Sequence, residues 1–171
     1  MITELSAHLQ DFKRTGDIMG YRKHYEINVA ETPDRAVMAC RQVMAVSEFG
    51  QYYSRLYERI GREHLTPDGV CGAVYYDEEF NRESADIELI LGIREENRAD
   101  KIMKGQLCAR TLHKGPYSSL PDAYGALVAW IEENGYAWDG APYEIYVKTQ
   151  FDSLAPEDWE TEIFFPVKKK A

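Results

Sequence analysis

The feature that most constrains this 171-residue chain is that it matches itself. Shifted by 71 residues without gaps, Phe49 falls on Leu120, Tyr53 on Tyr124, Leu56 on Leu127 and Ile60 on Ile131. Asp68-Gly69 falls on Asp139-Gly140 and Tyr75 on Tyr146, and six of the 23 pairs from Tyr53 to Tyr75 are identical. The final strand of each unit aligns at a shift of 74, which sets Glu88 on Glu162. A self-match at fixed offset marks repeated supersecondary units that share one core. The length suits such a single core.

Each unit reads strand, helix, strand, strand. The first has strands over Tyr25 to Ala30 and Ala36 to Val43, parted by the turn Thr32-Pro33-Asp34. Ser47 is the expected N-cap of a helix to about His64, with Phe49, Tyr53, Leu56 and Ile60 inward. Strands Cys71 to Asp77 and Asp86 to Ile93 follow, joined by EEFNRES. After a charged linker over 94–104, the second unit has a strand from Leu107 to His113. Its helix is expected to be capped by Ser119, with Pro121 in the first turn and Asp122 at the capping-box position. Leu120, Tyr124, Leu127 and Ile131 point inward, and Gly135 ends the helix. Strands Tyr143 to Thr149 and Thr161 to Val167 close the unit. Ahead of both, Ile2, Leu5, Leu9 and Phe12 give an amphipathic helix within 1–20, stopped by Gly16.

The expected fold is α+β, with duplicated βαββ units related by pseudo-twofold symmetry. Antiparallel sheets surround a central ligand cleft and helices lie on the outer faces. One domain spans 21–171, with repeats over about 25–93 and 105–168.

Strand side chains alternate between faces. Ile145 with Val147, Ile163 with Phe165 and Val167, Ile87 with Leu89 and Leu91, and Val74 with Tyr76 form apolar sets, expected under the helices. The opposite sets hold Glu144, Tyr146, Glu162, Phe164, Tyr75 and Glu88, expected to line one shared cleft. Acids among aromatics suit a flat or cationic organic ligand, with cation–π attraction adding roughly 0.5–2 kcal/mol.

Composition narrows the functions. The net charge of −9 argues against a nucleic-acid backbone as partner. Cys40, Cys71 and Cys108 are far apart and form no CxxC pair, which fits reduced thiols in a cytoplasmic protein. No apolar run is long enough to span a membrane. No cofactor motif is present and no metal-ligand spacing is found; His113, before a Gly-Pro-Tyr turn, reads as structural.

The runs LHKGPYSSLPDAYGALVAWIEENGY, APYEIYV and WETEIFFPV resemble the GyrI-like small-molecule-binding domain. That domain sits behind the DNA-binding domains of AraC-type and MerR-type multidrug regulators and also stands alone. The resemblance covers about Tyr25 to Lys168. The first repeat matches more loosely: it lacks the Gly-Pro-Tyr turn and has Ala73 where the second has Glu144. The resemblance implies a cleft between the repeats for hydrophobic, often cationic compounds. It places Glu144 and Glu162 as cleft acids, Tyr146 and Phe164 as walls, and Tyr117, Tyr75 and Trp138 nearby. With only 24 residues before Tyr25, the expectation is a standalone form with no direct nucleic-acid contact. A homodimer or a separate partner regulator is left open.

Three functions follow as expectations. The first is a binding protein for hydrophobic or cationic small molecules. The second is a hydrolase of reactive cyclopropane-bearing compounds, with Glu144, Glu162 and Tyr146 as catalytic candidates for acid–base chemistry. The third is a gyrase- or regulator-interacting protein.

Overall fold

The computed structural model describes residues 25–171; the amphipathic helix expected within 1–20 lies outside them. The alternating and 3.6-period stretches become β1 (Asn28–Glu31), β2 (Arg35–Met44), α1 (Phe49–Arg62), β3 (Pro67–Tyr75) and β4 (Ala85–Ile93). Then come β5 (Lys101–Met103), β6 (Leu107–Lys114), α2 (Leu120–Glu133), β7 (Tyr136–Trp138), β8 (Tyr143–Lys148) and β9 (Glu160–Lys169). The short strands β5 and β7 fall in the linker and in a stretch given no element, since three residues carry no periodic signal.

The helix starts differ from expectation. A short 3₁₀ turn leads into each helix, and neither Ser47 nor Ser119 caps one through its side chain. Glu48 instead accepts from the Ala45 amide at 2.8 Å, while Ser119 Oγ donates to the Pro116 carbonyl at 2.9 Å. Gly135 does follow α2 with φ of 76°, the left-handed position that favours glycine. All four inward residues of α2 are buried. On α1 the buried stripe is Tyr52, Leu56 and Ile60, with Phe49 and Tyr53 packed at its margin.

All pairings are antiparallel, and the sheet order is β1-β6-β9-β8-β3-β4-β2-β5, with β7 paired to β9. The two halves therefore join edge to edge through β3 and β8, where Ala73 lies opposite Glu144. These two positions are themselves equivalent at the 71-residue shift. The registers obey both offsets. Val74 opposite Glu88 in one half answers Ile145 opposite Glu162 in the other. Ala39 opposite Ile90 answers Arg110 opposite Phe164. The edge strands are exchanged: β1, at the start of the first unit, pairs with β6 of the second, and β5, in the linker before the second, pairs with β2 of the first.

This exchange rolls the sheet. The β1–β2 turn meets the β5–β6 turn, with the Thr32 amide donating to the Gln106 carbonyl at 3.0 Å and the Gly105 amide to Asp34 at 2.7 Å. Gly105 permits the crossing, because a Cβ there would sit 2.1 Å from the Thr32 carbonyl oxygen. Both helices cover the outer face: α1 packs on Met38, Leu89 and Leu91, and α2 on Ala109, Ile163 and Phe165. The inner face closes on itself around Val37, Val74, Ile90, Cys108, Tyr143, Ile145 and Phe164, which come from both halves. Among the described residues no helix is long and apolar enough to cross a membrane.

Candidate functional site

The expectation of one shared acid–aromatic face is corrected by the registers. Glu144 lies opposite Ala73 and Ile163, so it faces the helix side, as do Tyr146 and Tyr75. Glu162 lies opposite Ile145 and Glu88 opposite Val74, so both face the inner side of the roll with Phe164. Alternation fixes which residues of a strand share a face, but not which face that is. On β4 and β9 the apolar set lies under the helices as expected. On β3 and β8 the apolar residues Val74 and Ile145 turn into the inner core, while Val147 is exposed.

The carboxylates part accordingly. Glu88 accepts from Lys101 Nζ at 2.6 Å and from the Tyr76 hydroxyl at 2.7 Å. Glu162 accepts from Arg110 at 2.7 Å. Glu144 is 1% exposed and has no ion-pair partner among the described residues. Its oxygens are instead ringed by phenols. Tyr124 donates to Oε2, while Tyr146 and Tyr75 donate to Oε1 at 2.8 and 3.1 Å. Burial pushes the Glu144 carboxyl above its ordinary range, an effect the three hydroxyls oppose. Burial, reinforced by the Glu144 charge, holds the phenols of Tyr75, Tyr124 and Tyr146 well above theirs, so they stay donors.

The ring is built from both units. Tyr75 and Tyr146 are equivalent at the 71-residue shift, as are Tyr53 and Tyr124. Tyr53 donates to the Gly72 carbonyl at 2.6 Å, while Tyr124 donates to Glu144. The symmetry breaks at the carboxylate itself, whose counterpart is Ala73.

Tyr117 extends the site, its ring 5.9 Å from Tyr146 and 5.0 Å from Trp159, and it is partly exposed. Thr161 lies opposite both Tyr146 and His113 on the same face, with a buried hydroxyl that finds no partner among the described residues. His113 is buried as a structural link: Nδ1 meets the Tyr25 hydroxyl at 2.9 Å and Nε2 meets Ser119 Oγ at 3.0 Å. Trp138 packs against Phe165 and lies opposite Val167, four residues along β9 from the Glu144 partner Ile163.

The structure thus gathers Glu144, Tyr146, Tyr75 and Tyr117, and separates them from Glu162, Glu88, Phe164 and Trp138. Sequence reasoning left out Tyr124 and Trp159. Tyr124 had a usable signal, since a tyrosine on a fully inward helical stripe needs a buried partner for its hydroxyl.

Comparisons with known proteins agree with this architecture. The family model for the GyrI-like small molecule binding domain matches residues 25–168. The crystal structure of the EcmrR C-terminal domain is 29% identical with a TM-score of 0.71, covering 85% of this chain and 98% of that one. EcmrR in its DNA complex is 26% identical with a TM-score of 0.70, covering 97% of this chain and 70% of that one. SAV2435 bound to tetraphenylphosphonium shares the fold at 11% identity and a TM-score of 0.54, covering 84% of this chain and 94% of that one. A search of curated proteins gave no match.

Proposed function

Since the chain belongs to the GyrI-like family of small-molecule-binding domains, we propose that it binds a hydrophobic cation over the tyrosine-ringed carboxylate of Glu144. The observation that carries this is that Glu144 is buried with no cationic side chain paired to it among the described residues, while Glu88 and Glu162 each have one. A buried, ionised carboxylate without a counter-charge is costly, and a bound cation removes that cost. The phenols hold the carboxylate in place, and Tyr117 and Trp159 offer ring faces at the exposed end. Opening of this closed ring to admit the ligand is part of the reading.

Tetraphenylphosphonium, the compound bound in the SAV2435 structure, is the probe. Calorimetry should show saturable binding that weakens at least tenfold in Glu144→Gln and little in Glu162→Gln. Triphenylphosphine oxide, uncharged, should not distinguish wild type from Glu144→Gln. Equal tetraphenylphosphonium affinity in wild type and Glu144→Gln overturns the assignment.

A second reading, hydrolysis, draws support from the raised Glu144 pKa beside the Tyr146 hydroxyl, a pairing suited to proton transfer. Glu162, on the other side of the sheet, then takes no part. Product analysis with an electrophilic cyclopropane tests it; turnover that survives in Glu144→Gln removes it.

A further inference from the structure

A cavity of about 290 Å³ lies apart from Glu144. It opens on the inner side of the roll, where the β1–β2 and β5–β6 turns cross. Arg35, Lys101, Lys104, Gln106, Tyr76 and Tyr143 are among its lining residues.

Its charges do not cancel. Lys101 is matched by Glu88 at 2.6 Å, and Lys104 reaches Asp34 at 3.5 Å. Arg35 has no ion-pair partner among the described residues, and its Nε is buried with no hydrogen-bond partner there. A buried guanidinium nitrogen left without an acceptor costs free energy that an incoming acceptor recovers. The surplus is therefore one positive charge, in a chain whose net charge is −9. Lys104 is 79% exposed and loosely held, so it is free to turn toward an anion.

One wall is a flat aromatic face, that of Tyr143. Tyr143 stacks on Phe164 with ring centroids 4.8 Å apart and planes 12° from parallel, and the Arg35 guanidinium lies 5.8 Å from the Phe164 ring. Met103, Val74 and Pro166 add apolar surface to the lining. The volume sits at the low end for small-molecule sites, which limits the occupant to one or two rings.

We propose that this hollow is a second ligand site, separate from Glu144, for a small aromatic carboxylate. The carboxylate sits on the Arg35 fork, whose paired N–H groups match its two oxygens. The ring lies along the Tyr143 wall, with Gln106 and Thr32 also in the lining. The two sites thus select opposite charges on opposite faces of one sheet.

The test is an NMR titration of the full chain with salicylate, following the Arg35 Nε–Hε signal and the amides of Thr32, Lys104 and Gln106. Saturable shifts at these positions are expected, with affinity at least tenfold weaker in Arg35→Gln and several-fold weaker in Arg35→Lys, which keeps the charge but loses the fork. Lys104→Gln, at the exposed rim, should weaken binding about two- to threefold and serves if an Arg35 variant fails to fold. Glu144→Gln should leave salicylate binding unchanged, so this site stands or falls apart from the tetraphenylphosphonium site. Binding of benzamide as strong as salicylate overturns the role of charge, and binding of inorganic phosphate as strong overturns the role of the ring. The absence of saturable shifts, or shifts unchanged in all three variants, overturns the site.

Discussion

At the residue scale the decisive group is Glu144. Burial raises its carboxyl above the ordinary 4.5, so the native state holds the proton to higher pH than the unfolded chain does. Its contribution to stability is complete below about pH 4.5 and is lost as pH rises through the native value. The urea midpoint of the wild type should therefore fall relative to Glu144→Gln across that window and level off above it. A cation bound over the ionised form should release a proton within the same window, which calorimetry in buffers of different ionisation enthalpy reads directly. His113 behaves in the opposite sense. Burial lowers its pKa from 6.5, so its contribution is complete above 6.5 and is lost as pH falls through the native value. His113→Gln should remove that acid-side loss from the stability profile, although it also breaks the links to Tyr25 and Ser119.

At the element scale, two glycines with opposite surroundings separate packing from propensity. Gly61 lies in α1 with open space where a Cβ would go. Gly61→Ala should stabilise by roughly 0.5–1 kcal/mol, since alanine loses less backbone entropy in a helix. Gly105 lies where a Cβ would meet the Thr32 carbonyl oxygen at 2.1 Å. Gly105→Ala should cost roughly 1–3 kcal/mol through forced backbone shifts, and should loosen the turn crossing first. Urea unfolding of both variants against wild type checks the pair of signs. The helices themselves were legible from the periodicity of Leu56 and Ile60, or of Leu127 and Ile131, because the 3.6-residue pattern and the core coincide. The caps were not, because Ser119 is taken up by Pro116 and His113. The faces of β3 and β8 were not legible either. Alternation groups Glu144 with Tyr146, and only the pairing of β3 with β8 brings Tyr75 to their side. Which side that was depended on where the helices lay.

At the scale of the whole molecule, the exchanged edge strands make each half depend on a segment from the other. β1 is bound to β6 through the pairs Asn28 with Arg110, Val29 with Ala109 and Ala30 with Cys108. Proline at both Val29 and Ala30 removes whichever amide points inward. Hydrogen exchange should then speed up most along β6, some eighty residues away in sequence, and less in the adjacent β2. Loss of protection confined to β2 would contradict the exchange. The roll also explains why both sheet faces are dry at the centre, and why the inner one still holds a cavity where its turns cross.

The sequence by itself carried the self-match at offsets of 71 and 74, the helical stripes of Leu56 with Ile60 and of Leu127 with Ile131, the longer strands and the family's motifs. These are local or periodic properties, recorded along the chain in residue type and spacing. Only the tertiary structure decided that the halves join through β3 and β8, that Glu144 faces the helices while Glu162 and Glu88 face the inner core, and that Arg35 lies beside Tyr143 and Phe164. Those are relations between segments distant along the chain. Alternation leaves the choice of face open until a helix covers one side, and an ion pair such as Arg110 with Glu162 exists only once the strands have found their register.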